Sequence, residues 1–312
     1  MKLLGLTAEP AIAEHARERM RLGDLVGAKT TAEAEIQRLG QEGNTPELWR
    51  LRFIRAEVLD AHGQADEALK YLESFRPPSA EDIESQAALN MYRGAYTGFL
   101  GRNEAAHNLF AEAESLAREA GLRKLEADVY LTRAFIFFRQ KDYVSSDRLF
   151  RAALQIAEQI GGWYLRGQSF WGIGKNLMIQ EHYQEAIPWL NESLVIFEEA
   201  NAPLSIAMVW SELAVCHLGL GDDTKAMELL RKAERVNYDS GVLHNYQVVL
   251  ANIGNIYLHS GDYLTSIEYY RRALALAREI KDPVSIKKWT RNVNLAYARI
   301  RQSVNQANRV CR

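Results

Sequence analysis

A spacing of 40 residues runs through this chain and leaves few folds open to it. Gly23, Gly63, Gly101, Lys141, Glu181, Gly221 and Gly261 follow one another at 40, 38, 40, 40, 40 and 40 residues. Seven positions before these markers stand Ala16, Ala56, Gly94, Ala134, Gly174, Ala214 and Gly254, and five positions after them Ala28, Ala68, Ala106, Ser146, Ala186, Ala226 and Ser266. All fourteen are small. Two antiparallel helices on a short turn approach closely only where neither carries bulk, so the paired columns predict tight helical hairpins. Four residues further on, Ala32, Leu72, Phe110, Phe150, Leu190, Leu230 and Tyr270 supply mostly large groups to fill the space between hairpins. Gly43, Gly121, Gly161, Asn201 and Gly241 mark the ends of second helices, because Gly and Asn accept the left-handed conformation there. Lys281 takes that place in the seventh unit, and Pro77-Pro78 ends the second early.

Between the markers the apolar positions keep helical intervals, as Ile267, Tyr270, Leu274 and Ala277 do. The pattern predicts one solenoid over residues 1–312. Its repeats fall near 9–46, 49–84, 87–124, 127–164, 167–204, 207–244 and 247–282, followed by a capping helix over 283–301 and a frayed tail at 302–312.

The seventh unit carries Gly254, Tyr257, Gly261, Asp262, Tyr263, Tyr270 and Ala273 at the spacing of a known motif, and on those residues it resembles a tetratricopeptide repeat. The likeness extends over about residues 9–286. The common repeat has ~34 residues; longer units of 40 are similar to those of kinesin light chain and of bacterial regulatory arms, including the arms that precede CHAT-type protease domains. The resemblance implies an all-α fold: a right-handed superhelical solenoid of about seven helix-turn-helix repeats plus a C-terminal capping helix. It also implies a scaffold for protein–protein interaction. The carboxylate clamp of chaperone-binding relatives is not supported, because Trp171 stands where a cation is needed beside Lys175, and Ala251 accompanies Asn255.

Composition excludes several other classes. With 47% hydrophobic residues and a net charge of -2, the chain has a core to bury and no polyelectrolyte character. Two cysteines cannot form a disulfide framework, so a reducing cytoplasmic setting is expected. Glu9 and Glu14 interrupt the apolar start too early for a leader, and Phe135–Phe138 is far short of a membrane span. The seven histidines form no metal-ligand pair, and Gly172-Ile-Gly-Lys175 lacks both the last glycine and the strand of a phosphate loop. Cys216 falls on an inward face as a buried thiol. No metal, cofactor or catalytic residue is expected.

Function in such a solenoid is expected on the wall formed by the first helix of each unit. The stripe about 140° from the packing face, at about 100° per residue, offers Arg17, Met20 and Arg21 in the first unit and Arg50, Phe53, Glu57 and Asp60 in the second. It then turns apolar: Met91, Phe99, Leu131, Phe135, Phe138, Trp171, Met178 and Met208. Arg139 and Lys175 supply cations, and Asn255 and His259 make the seventh unit polar again. Two readings fit. The side chains are buried by curvature of the coil, or they form a platform for a peptide or amphipathic helix. From Lys281 onward eight Lys/Arg face one Asp, a local charge of +7, here read as the polar outer side of a cap rather than as a nucleic-acid surface.

These features describe a non-enzymatic scaffold binding a peptide or amphipathic helix in an apolar groove, with no membrane or nucleic-acid partner. The alternative is a ligand- or peptide-sensing arm that controls a protease, kinase, ATPase or transcription effector.

Overall fold

The computed structural model describes residues 12–40 and 44–310, with side chains as far as 306. Gly43 and the start of the first unit at residues 9–11 lie outside the described residues. Fifteen helices account for the described chain, and no strand occurs among those residues. From α5 (Ile83–Phe99) and α6 (Asn103–Glu119) onward the pattern is regular. It continues through α7 (Arg123–Arg139), α8 (Tyr143–Ile160), α9 (Trp163–Ile179), α10 (Tyr183–Glu199), α11 (Pro203–Gly219), α12 (Asp223–Asp239), α13 (Leu243–His259) and α14 (Tyr263–Glu279). Helices of 17 residues alternate with turns of three, except that α8 has 18 and a connection of two follows it, which is the physical origin of the 40-residue period. The earlier helices are shorter: α1 (Ile12–Arg21), α2 (Leu25–Leu39), α3 (Pro46–Ala61) and α4 (Ala65–Glu73).

From α5 onward each turn contains a residue in the left-handed region. Lys141 (φ 65°), Glu181 (φ 66°), Asn201 (φ 51°) and Lys281 (φ 54°) adopt it without being glycine. A single such residue redirects the chain into the next helix while its neighbours satisfy the last carbonyls of the preceding one. The following aspartates then cap: Asp142, Asp222 and Asp262 each accept from the backbone N–H three residues on. From the third unit on, the first helices begin one turn earlier than the sequence pattern places the units, at Ile83, Arg123, Trp163, Pro203 and Leu243. Leu122, Ala202 and Val242 precede three of these helices without any side-chain cap, and only α11 carries a start signal of its own, Pro203 in its first turn.

The small columns do touch. Ser146 Oγ donates to the Ala134 carbonyl at 2.9 Å, and Ser266 Oγ does the same to Gly254, each across one hairpin. A Cβ on Gly174 would lie 2.7 Å from Leu190 Cγ, and one on Gly254 would lie 2.8 Å from the Tyr270 ring. The large column fills its intended place: Phe110, Phe150, Leu190, Leu230 and Tyr270 are all buried.

By internal contacts the chain divides into two compact units, Met1–Leu165 and Arg166–Arg312. In the first, Trp49, Phe53, Leu72, Tyr96, Phe110 and Ile136 form the main apolar cluster, and Ala13, Ala28, Leu48, Leu51 and Ile54 a smaller one under α1. First helices also contact the first helix of the next hairpin (α1–α3, α3–α5, α5–α7), while no comparable contact joins successive second helices among the described residues. The first helices therefore line the inner side. The second unit repeats this with α11 and α13. It is closed by α15 (Pro283–Val310), a helix that continues past Arg301. Trp289 anchors it: the indole is buried against α14 and α13, and its N–H donates to Gln247 Oε1 at 3.1 Å. Gln247 in turn donates to Asp282 at 3.2 Å. No helix of the described residues is long and apolar enough to cross a membrane.

Candidate functional site

The inner wall of the first unit is assembled from α1, α3, α5, α7 and the first turn of α9. On its polar side Arg17 bonds the Glu57 carboxylate and donates to the Tyr92 hydroxyl at 3.0 Å, and Tyr92 donates to Glu57. Tyr92 stacks on Phe53 with ring centroids 4.8 Å apart. One turn along α1, the Arg21 guanidinium lies 5.3 Å from the centre of the Tyr164 ring. That contact joins residues 143 positions apart, so side chains from both ends of the unit meet across its hollow. Burial opposes the charge on Arg17, but Glu57 and Tyr92 hold its pKa well above the ordinary value.

Two carboxyls in this hollow are displaced the other way. Burial pushes Asp60 up to about 6, with Glu57 adding to the effect and Arg139 opposing it. Burial likewise raises Asp128 to about 6, against the pull of Lys124, Arg17 and Arg21. Tyr164 is pushed up to about 12, mainly by burial. Both carboxyls are half-buried, and partial loss of solvent screening makes a neighbouring charge or hydrogen bond count for more there than at the open surface.

The structure separates the twelve side chains singled out in the sequence. Met91 and Leu131 in the first unit, and Trp171 and Met178 in the second, are at most 8% exposed and are covered by the chain's own packing. Phe99, Phe135 and Phe138 are half-buried and lie along the C-terminal halves of α5 and α7, with Arg139 exposed beside them. The Arg139 guanidinium sits 5.0 Å from the centre of Phe99. Phe135 packs edge-on against Phe150 at 5.0 Å, and Phe138 meets Tyr143 at 5.7 Å. Arg139 thus joins α7 to Phe99 on α5, and Phe135 and Phe138 lie one turn apart on α7.

In the second unit Lys175 is not a lone cation. Its ammonium lies 2.8 Å from Glu212 Oε1 and 4.4 Å from the centre of the Trp171 ring. Met208 is half-buried, His259 is exposed, and Asn255 accepts a hydrogen bond from Tyr270 at 2.6 Å. Cys216 is fully buried, and burial followed by the nearby Glu212 charge pushes its thiol up to about 12, which leaves it inert as a nucleophile. No group of three or more His, Cys, Asp or Glu is placed to hold a metal among the described residues.

Sequence reasoning missed Tyr92 and Tyr164 in the first unit, and Glu212 in the second. One signal was available: Arg17 and Glu57 are opposite charges in the same repeat column, 40 residues apart. Nothing local could have paired Arg21 with Tyr164.

Sequence models of the tetratricopeptide repeat match residues 125–199 and 249–284. Among curated proteins no sequence match is found. Solved structures are similar over nearly the whole chain. A Rap protein complexed with competence and sporulation factor has a TM-score of 0.68 at 17% identity, covering 95% of this chain and 87% of that one. Aspartyl phosphate phosphatase F from Bacillus subtilis has a TM-score of 0.60 at 16% identity, covering 98% and 85%. A signal transduction ATPase with a tetratricopeptide repeat sensor, from Pyrococcus horikoshii, has a TM-score of 0.54 at 16% identity, covering 86% and 43%. At these identities the likeness is one of fold: an all-α helical repeat solenoid.

Proposed function

Starting from a chain that belongs to the tetratricopeptide-repeat superfamily, we propose that this protein is a non-enzymatic scaffold whose inner helical wall binds a peptide or amphipathic helix of a partner. The observation that carries the reading is the half-buried aromatic edge of Phe99, Phe135 and Phe138 with the exposed Arg139 beside it. Aromatic rings supply large contact area at little entropic cost, and a guanidinium at their border offers a charged hydrogen bond to a partner's backbone or carboxylate. Met91, Leu131, Trp171 and Met178 are buried and present no area of their own to a partner. The reading is tested by panning a random peptide library on the full chain. Selected peptides are expected to lose about tenfold or more in affinity to Phe138→Ala and to Arg139→Ala, since a contact of this kind is worth ~1–2 kcal/mol. Both variants should melt close to the parent. Failure to select any peptide, or peptides indifferent to both substitutions, would sink the reading.

A second reading is favoured by one contact. Arg21 against Tyr164 spans the hollow of the first unit, and a wall that closes on itself in this way suits a sensing arm that changes curvature when occupied. The likeness to the sensor of the Pyrococcus horikoshii ATPase is in keeping with it. Compaction in small-angle scattering on adding a selected peptide would support this version, and an unchanged radius would count against it.

A further inference from the structure

A cavity of about 160 Å³ opens between the first two hairpins. It is lined by Lys29 of α2, by Arg55, Val58 and Leu59 of α3, and by His62 and Gln64 in the turn that leads into α4. None of these residues takes part in the inner-wall contacts described above. Four of the six side chains carry nitrogen, and no carboxylate is in the lining. Val58 is buried and Leu59 half-buried, and together they give the cavity an apolar side.

The nitrogens are partly held in place. The His62 Nδ1–H donates to the Val58 carbonyl, one helical turn back, at 2.6 Å, which leaves Nε2 as the ring nitrogen open to a guest. Arg55 is fixed twice: it pairs with Glu33, and its guanidinium lies 4.8 Å from the centre of the Tyr71 ring. A guanidinium has five N–H groups in a rigid fork, so that pairing leaves others to offer. Lys29 is exposed, and neither it nor the Gln64 amide has a hydrogen-bond or ion-pair partner among the described residues. Gln64 stands at the start of α4 without capping it. Glu33 offsets Arg55, and the Lys29 charge is left in surplus.

We propose that this cavity binds the phosphate group of a small phosphomonoester, free or carried on a side chain of a partner. A phosphomonoester presents three terminal oxygens and ~1.5–2 negative charges near neutral pH, so Lys29, Arg55 and His62 can each serve one oxygen. Val58 and Leu59 take the apolar part of the ester. A carboxylate brings two oxygens and one charge and leaves one of the three nitrogens unserved. Pockets for drug-sized ligands start at ~300 Å³, so this smaller one suits a compact guest.

The test is isothermal titration calorimetry of the full chain at constant ionic strength. The probes are phenyl phosphate, inorganic phosphate, a phosphoserine peptide, and benzoate as the carboxylate of similar shape. Phenyl phosphate is expected to bind more tightly than inorganic phosphate, because of the apolar side, and more tightly than benzoate. Lys29→Met should weaken it about tenfold, the loss typical of a charge-assisted hydrogen bond, and His62→Gln severalfold, with both variants melting close to the parent. Tighter binding of the phosphoserine peptide than of phenyl phosphate would make a partner protein the source of the phosphate; the reverse would make it a free metabolite. Benzoate binding as well as phenyl phosphate, no binding of any phosphate, or phosphate binding indifferent to both substitutions would overturn the site.

Discussion

Asp128→Asn should stabilise the protein near pH 8 and do little near pH 4. The Asp128 carboxyl is pushed up to about 6 chiefly by burial, against Lys124, Arg17 and Arg21 and with a smaller push from Glu57. In the unfolded chain it returns to 3.8. The folded state therefore binds this proton more tightly than the unfolded state does. Its contribution to stability falls as pH rises from about 4 to about 6 and is flat above that. A difference of about two units corresponds to ~3 kcal/mol, and the remaining contact of this half-buried group with water reduces it to ~1–2 kcal/mol. Asparagine keeps the shape and removes the charge, so at pH ~8 that penalty is recovered. For a chain of this size the gain is ~2–8 °C in Tm. Thermal melts followed by circular dichroism, parent against variant at the two pH values, make the comparison. An equal gain at both would assign the effect to packing. A loss at the higher pH would mean that the three cations hold the carboxylate more firmly than burial penalises it. Either result refutes the argument.

Gly174→Ala should lower the melting temperature despite the better helix former, because its Cβ would lie 2.7 Å from Leu190 Cγ; overpacking of this kind costs ~1–3 kcal/mol, against ~1 kcal/mol of gained propensity. In a Cys311→Ser background, Cys216 should ignore a disulfide reagent until the protein unfolds, since its thiol is buried and pushed up to about 12; brisk labelling of the native chain would contradict this. Arg21→Ala should leave selected peptides able to bind but open the first unit, visible as faster amide exchange at the start of α9; unchanged exchange would remove the contact with Tyr164 from any conformational role.

Much of the fold could be read from the residues because it repeats. The small pair at Ala134 and Ser146, or at Gly254 and Ser266, is dictated by one hairpin's own geometry, and every hairpin obeys the same rule. The left-handed turn positions were equally readable, even where Lys141 and Glu181 replace glycine, because their neighbours keep register. The inner wall was harder. Whether a stripe residue ends up covered depends on how successive hairpins rotate against each other, which no 40-residue window records. Trp171 and Phe135 read alike in sequence, yet one is buried and the other half-exposed. Tyr92 lies off the stripe taken from ideal helix geometry, yet its hydroxyl reaches Arg17 and Glu57 because the side chain is long.

The contact between Arg21 and Tyr164 has a consequence for how the polypeptide is made. Four hairpins and the start of a fifth must leave the ribosome before Arg21 can meet its ring, an interval on the order of ten seconds at ordinary elongation rates. During that interval α1 is held only by its neighbours α2 and α3 and by Arg17 on Glu57, joined by Tyr92 once α5 has emerged. α1 therefore waits for its full set of partners until residue 164 has emerged, and nascent chains stalled before that point should expose it to proteases that spare the finished molecule.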